Sequence, residues 1–198
     1  MAMEVGPVTL QGRSLRLEPL AAFHAADLLR VAGDRRTFDY MFSAPPSWNE
    51  EGFRTYIRGL AAMENQVALA MVREDTGEAI GVSTYLDIRP SHRGLEIGST
   101  WIGPPYQGTF VNPEAKFLML RHAFDDLGAV RVQLKTDGRN LHSQAAIRKL
   151  GAVYEGTLRK HIILPDGFIR DTVMFSITAE EWPAVREGLI HRLGYRPA

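Results

Sequence analysis

The sequence predicts one mixed α/β domain, and three observations carry that expectation. Two strand-like runs, Leu95–Ile102 and Arg131–Thr136, flank a stretch of helical periodicity from Asn112 to Leu127. Such a strand–helix–strand unit must close as a right-handed crossover between parallel strands. On either side of it, strand-like segments meet across Glu74-Asp75-Thr76-Gly77 and Pro165-Asp166-Gly167, turn chemistry that marks antiparallel hairpins. The expected sheet is therefore mixed, mostly antiparallel and flanked by helices, with the parallel unit at its centre.

In chain order, Leu15-Arg16-Leu17-Glu18-Pro19 alternates apolar and polar residues and stops at a proline, as a strand does. A helix is expected over Ala21–Ala32, with Phe23, Ala25, Ala26 and Leu29 on its apolar side, and a second within Trp48–Ala62, where Phe53, Tyr56, Ile57 and Leu60 recur at helical spacing. The intervening Arg35–Trp48 carries Phe38, Tyr40 and Phe42, rings that either cap the core or line a cleft. Strands Val67–Val72 and Ala79–Leu86 form the first hairpin, and Pro90–Gly94 leads into the strand at Leu95. The helix from Asn112 presents Ala115, Phe117, Leu118, Met119, Ala123 and Phe124 as a broad apolar face. After the strand Arg131–Thr136, a helix spans Asn140–Leu150 and is closed by Gly151. Strands Ala152–Leu164 and Arg170–Ile177 form the second hairpin, and Ala179–Leu193 the last helix. The order reads βααβββαβαββα, one domain over 1–198 with its core at about 10–185.

Composition narrows the function classes. The 198 residues suffice to bury roughly 70% of the unfolded surface without disulfide or metal staples. Lys+Arg and Asp+Glu both total 23, so the basic excess of a dedicated nucleic-acid binder is missing. With no cysteine, thiolate nucleophiles and Cys-ligated metals are excluded, and no HExxH pattern or close histidine pair suits a metal. Glu4 and Pro7 stand where a signal peptide needs a basic, then apolar segment, and no run approaches a membrane span. A cytoplasmic protein without metal, membrane or direct nucleic-acid partner is expected. G-x-S-x-G, G-x-x-x-x-G-K-[ST] and G-x-G-x-x-G are all absent, which removes support for serine hydrolase, ATP-loop and dinucleotide chemistry.

The most informative stretch is Trp101–Lys116. A strand ends at Ile102, a turn-rich loop follows, and Asn112-Pro113 reads as an N-cap followed by a first-turn proline. A helix start placed directly after a strand presents unpaired N–H groups and the positive end of the helix dipole, which together bind phosphates. The bland alternative is an ordinary capped loop. Downstream, Asn140-Leu141-His142-Ser143 is followed by Ile147-Arg148-Lys149-Leu150-Gly151-Ala152.

The element order, with Gln107–Asn112 and Asn140-x-x-Ser143 in these places, resembles the GNAT superfamily of acyl-CoA-dependent N-acetyltransferases. The branch it looks most like is the RimJ/RimL group, which acetylates ribosomal-protein N-termini. The family's loop pattern is Gln/Arg-x-x-Gly-x-Gly/Ala; here Phe110 replaces the first of these glycines, Asn112 the final Gly/Ala, and Ala152 the aromatic that usually follows Lys-Leu-Gly. Phe110 cannot reach left-handed angles as easily as glycine, Pro113 lacks an N–H, and Glu114 adds a negative charge, so the loop departs from a standard anion cradle.

The resemblance implies acetyl-CoA held in a V between the strands ending at Ile102 and Thr136. Trp101, Ile102 and Gly103 would pair with the pantetheine, Gln107, Gly108, Thr109, Phe110, Val111 and Asn112 would cradle the pyrophosphate, and Asn140 would contact the pantetheine arm. Ser143 would hydrogen-bond the thioester sulfur, although Asn140 and Ser143 also read as an ordinary N-cap pair. Glu96, on a central strand, is the first candidate for general base and Glu155 the second; a salt-bridged structural role is the alternative for each. Alternation would set Glu96, Gly98 and Thr100 opposite Leu95, Ile97 and Trp101. His142 could assist proton movement or simply be an exposed helix residue. Arg36, Tyr40 and Tyr85 are the expected acceptor-binding residues, joined by the hairpin around Asp166. The expected reaction is direct acetyl transfer from acetyl-CoA to a primary amine within a ternary complex. A peptide or protein N-terminus, a small amine and an antibiotic all remain open as acceptors, as does a homodimer. The rival readings are a non-catalytic acyl-CoA- or ligand-binding module of the same fold, and a structural domain without a CoA site.

Overall fold

In the computed structural model, residues 3–195 are described. The strands are β1 (Leu10–Gln11), β2 (Leu15–Pro19), β3 (Val67–Arg73), β4 (Ala79–Arg89), β5 (Gly94–Ile102), β6 (Arg131–Asp137), β7 (Val153–Ile163) and β8 (Ile169–Thr178). The α-helices are α1 (Ala25–Val31), α2 (Glu50–Ala61), α3 (Val111–Arg121), α4 (Leu141–Arg148) and α5 (Trp182–Leu193). The strands form one sheet in the order β1-β2-β3-β4-β5-β6-β8-β7. Only β5 and β6 run parallel, so the mixed, mostly antiparallel sheet with a central strand–helix–strand unit is as the sequence predicts. The additional strand β1 spans two residues, too short for any periodicity to reveal.

Several element details differ from expectation for identifiable reasons. A 3₁₀ turn at Ala22–His24 precedes α1 and rotates its register. Ala25, Leu28, Val31 and Ala32 are buried, while Phe23 is 73% exposed. His24 turns inward instead, with Nε2 3.0 Å from Glu18 Oε1 and Nδ1 accepting from the Ala21 N–H. Helix α3 starts one residue early: Thr109 Oγ1 accepts from the Val111 N–H, and the first intrahelical bond runs from Glu114 N to Phe110 O. Asn112 is therefore inside the first turn and is not the N-cap, and Pro113 sits where a helix tolerates a missing N–H. The helix then widens into a π turn over His122–Asp126. Helix α5 begins at Trp182, since Glu181 Oε2 accepts from the Thr178 N–H and ends the strand first.

Helices α1 and α2 pack together over one face of the sheet and α3 with α5 over the other. Phe38 is buried among Trp48, Phe53, Tyr56 and Trp101 with ring centroids 5.1–6.4 Å apart, so this ring of the 35–48 segment belongs to the core.

Candidate active site

Strands β5 and β6 pair over three residues only, Gly94 with Arg131, Leu95 with Val132 and Glu96 with Gln133. Beyond that point β5 stays with β4 and β6 stays with β8, so the two diverge. The V between them is a cleft of about 430 Å³, lined by β5, the 107–113 loop, Lys116, β6, α4 and the 37–42 segment.

A β-bulge shapes the β5 wall. Thr84 faces Gly98 and Val82 faces Trp101, so Ser99 and Thr100 oppose the single residue Ser83, with Ser99 at φ +46°. The extra residue overturns the simple alternation. Trp101 shares the face of Glu96, where its Nε1 donates to the Tyr56 hydroxyl at 3.2 Å. Thr100 turns to the other face, with its Oγ1 2.7 Å from Ser83 Oγ and 2.7 Å from Lys116 Nζ.

Glu96 stands where the strands part and is 1% exposed. Its Oε2 accepts from Gln133 Nε2 at 2.8 Å and pairs with Lys135 Nζ at 2.9 Å. Its Oε1 meets no donor among the described residues, and Glu96 lines the cleft.

One arm of the cleft has the chemistry of an anion cradle. From Ile97 to Ile102, the edge of β5 facing the V has no strand partner. Gly108 adopts φ +73° with nothing within 4 Å of where a Cβ would stand. The N–H groups of Gly108, Thr109, Phe110 and Asn112 find no protein acceptor among the described residues. Glu114 does not oppose an anion there, because it is turned away and buried, accepting from Arg13 N at 2.7 Å, Ser14 N at 2.9 Å and the Tyr195 hydroxyl at 2.5 Å.

A free strand edge leading to unpaired N–H groups at a helix start suits an extended thiol cofactor ending in phosphates. The family model described as "Acetyltransferase (GNAT) domain" matches residues 14–153. The chain belongs to the GNAT acetyltransferase family. It is an acetyl-CoA-dependent N-acetyltransferase. The structure of a "putative acetyltransferase" from T. thermophilus is 42% identical, with a TM-score of 0.89 over 96% of this chain and 100% of that one. The Bacillus subtilis (strain 168) protein named "Putative ribosomal N-acetyltransferase YdaF" is 25% identical, over 84% of this chain and 90% of its own. Mycobacterium smegmatis RimJ, solved in complex with CoA-disulfide, shares the fold with a TM-score of 0.77 at 22% identity, covering 96% and 94% of the two chains.

Within this GNAT cleft, Glu96, Trp101, Ile102, Gln107, Gly108, Thr109, Asn112, Asn140, His142, Ser143 and Tyr40 all contribute to the lining. Asn140 caps α4, its Oδ1 accepting from the Ser143 N–H at 3.0 Å, so the cap and the cleft position coexist. Five expectations do not hold. Gly103 is committed elsewhere: its N–H donates to Ile80 O at 2.9 Å, and a Cβ would lie 2.6 Å from Val31 O. Val111 sends its side chain into the core and its N–H to Thr109 Oγ1, whereas Phe110 turns its ring to solvent and keeps its expected place in the cradle through its unbonded N–H. Tyr85 is fully buried on the α3 face, its hydroxyl donating to Met119 O at 2.7 Å. Arg36 is 84% exposed outside the cleft and paired with Asp34. Glu155 also lies outside, held by Arg131 at 2.5 Å and by Ser176 Oγ at 2.9 Å, an arrangement that makes it a structural ion pair.

Three charged groups in or beside this site escaped the sequence reading. Lys116 projects from α3 under the bulge, donating to Ser83 Oγ at 3.1 Å and Thr100 Oγ1 at 2.7 Å, and burial pulls its pKa down to about 7. Burial would raise the Asp137 carboxyl, but side-chain and backbone bonds from Arg139 bring it below its ordinary value. Arg170 sits under Phe42, and burial lowers its pKa against the raising influence of Asp137 and Glu96. A lone Lys or Arg in a sequence reads as surface; only a strand position inside a hairpin hinted at Arg170. Among the described residues no group of three His, Cys, Asp or Glu could hold a metal ion.

Proposed function

We propose that this enzyme acetylates the α-amine of a protein or peptide N-terminus, with Glu96 as general base. The observation that carries the reading is the Glu96 carboxylate, with one oxygen anchored by Gln133 and Lys135 and the other unbonded, at the point where the strands part. Acetyl-CoA supplies an acetyl group activated as a thioester. The free edge of β5 and the N–H groups of 108–112 are the groups that would hold it, with Ser143 on α4 as a donor facing the same cleft.

An α-amine is mostly protonated at neutral pH and must lose its proton before it attacks a carbonyl. Glu96 Oε1 is the acceptor for that proton, directly or through one water. Gln133 and Lys135 hold Oε2 and so fix the carboxylate's orientation, leaving Oε1 as the oxygen available to a proton. Ser143, whose backbone is fixed by the Asn140 cap, would place its hydroxyl to stabilise the departing sulfur. Tyr40, Met41 and Phe42 form an apolar lip suited to the first side chain of a peptide. The name carried by YdaF supports a ribosomal-protein acceptor, which would place the reaction in the cytoplasm. Among the described residues, no helix is long and apolar enough to cross a membrane.

Thiol release from acetyl-CoA with a panel of N-terminal peptides and small amines tests this. Glu96→Gln should lower kcat by about 10²–10⁴-fold, with unchanged thermal stabilisation by acetyl-CoA. Full turnover in both Glu96→Gln and Ser143→Ala at saturating acetyl-CoA would refute these roles. Acetylation of small amines but of no peptide would refute the acceptor class.

A further inference from the structure

Arg170 is the second residue of β8 and is only 2% exposed, yet no carboxylate pairs with it among the described residues. Its Nε donates to Thr172 Oγ1 at 3.1 Å, and its guanidinium lies 4.8 Å from the centroid of Phe42. Nη1 and Nη2 have no protein acceptor among the described residues, and the side chain contributes to the cleft lining. Asp137, an acidic group nearby on β6, is already paired with Arg139: Oδ1 accepts from the Arg139 N–H at 2.8 Å and Nε at 3.0 Å, and Oδ2 from Arg139 Nη2 at 2.8 Å. Arg139 in turn stacks on Phe168 at 3.5 Å and lies 5.5 Å from the Tyr40 ring. Two arginines therefore bridge the 37–42 lip and the β7–β8 hairpin; one is ion-paired, while the other feels Asp137 and Glu96 at longer range and is within ion-pair distance of neither.

Burying an unpaired guanidinium is strongly unfavourable, and a binding site is where such a cost is offset when the ligand arrives. The planar fork of arginine matches a carboxylate with two parallel hydrogen bonds, and a ring under its face leaves the edge free to make them. Arg170 touches Phe42 of the lip and none of the 107–112 loop, whose own unpaired N–H groups suit the donor's phosphates, so we assign its free edge to the acceptor.

We propose that Arg170 sets acceptor specificity by binding a carboxylate that the acceptor carries close to its reactive amine. This rests on the amine-acetylating function above and names its substrate class. The carboxylate has two possible sources, an acidic side chain next to a peptide N-terminus or the α-carboxylate of a free amino acid.

The test compares kcat/KM at saturating acetyl-CoA for peptides differing only by Asp or Asn at the second position, and for free amino acids against their amides. Wild-type enzyme should prefer the carboxylate member of one pair by about 30-fold or more, and the responding pair identifies the source. In Arg170→Met the preference should shrink to about 2-fold, mainly through KM, and Arg170→Lys should fall between because it lacks the fork. Unliganded Arg170→Met should melt no lower than wild type, since an unpaired buried charge has been removed; a large drop would make Arg170 structural and overturn the proposal. Equal turnover of acidic and neutral acceptors in wild type would overturn it while leaving the transferase function intact. If no amine is acetylated, fluorescence titration of the CoA-bound protein with the same Asp and Asn peptides and amino acids decides. Carboxylate-selective binding abolished in Arg170→Met would keep this site and defeat the acetylation reading, and its absence would defeat both.

Discussion

Replacing Lys116 with methionine should stabilise the protein at neutral pH and weaken the rise of stability with pH. Lys116 is buried on α3 with only two hydroxyls as partners, and burial lowers its pKa from 10.5 to about 7. Between those values the unfolded chain binds more protons than the folded one, so this group makes stability rise with pH across that window. Below about pH 7 both states are protonated and the full penalty opposes folding; above 10.5 neither is and the penalty vanishes. At about 1.4 kcal/mol per pKa unit, the penalty is about 4 kcal/mol at pH 7 and about 2 kcal/mol at pH 9. Ser83 and Thr100 remain bonded to one another at 2.7 Å when the ammonium is removed, so the lost hydrogen bonds offset only part of this gain. Lys116→Met should therefore exceed wild type by about 1–3 kcal/mol at pH 7, and that difference should fall by about 2 kcal/mol at pH 9. Urea unfolding followed by circular dichroism at pH 7, 8 and 9 measures it, and subtracting the two proteins cancels every titrating group they share. A difference that does not change with pH would refute the burial argument.

Asn140→Ala should cost about 1 kcal/mol in urea unfolding, since it deletes the α4 cap. Gly108→Ala should cost about 1 kcal/mol from backbone strain at φ +73° alone, because the space for its Cβ is open, and should weaken acetyl-CoA binding in a thermal-shift titration. Glu114→Gln should destabilise by about 1–3 kcal/mol, because the three donors that converge on its Oε1 exchange a charged acceptor for a neutral amide oxygen.

The strand–helix–strand unit, the Asp166-Gly167 turn and the Asn140 cap could all be read from the sequence because each rests on local chemistry. Gly151 at φ +95° and Gly167 at φ +84° occupy positions where glycine is favoured. The faces of β5 could not be read beyond Gly98, because the bulge rests on Ser99, a residue that does not advertise a positive φ. Tyr85 was expected in the cleft for a related reason: alternation gives two faces to β4 but does not say which one α3 covers. The charged residues were the hardest. Arg36 and Arg170 are the same letter, yet one is 84% exposed and the other is sealed beneath Phe42. Only the long-range pairing of β6 with β8 and the placement of the 37–42 lip separate them, and neither leaves a local signal.

The three residue pairs between β5 and β6 make a short seam between two antiparallel halves, β1–β5 and β6–β8. Any molecule seated in the V spans that seam and acts as a strut between the halves. Occupancy of the cleft should therefore register as rigidity far from the ligand, with slower amide hydrogen exchange along β6 and β8 as well as at the loop that touches it.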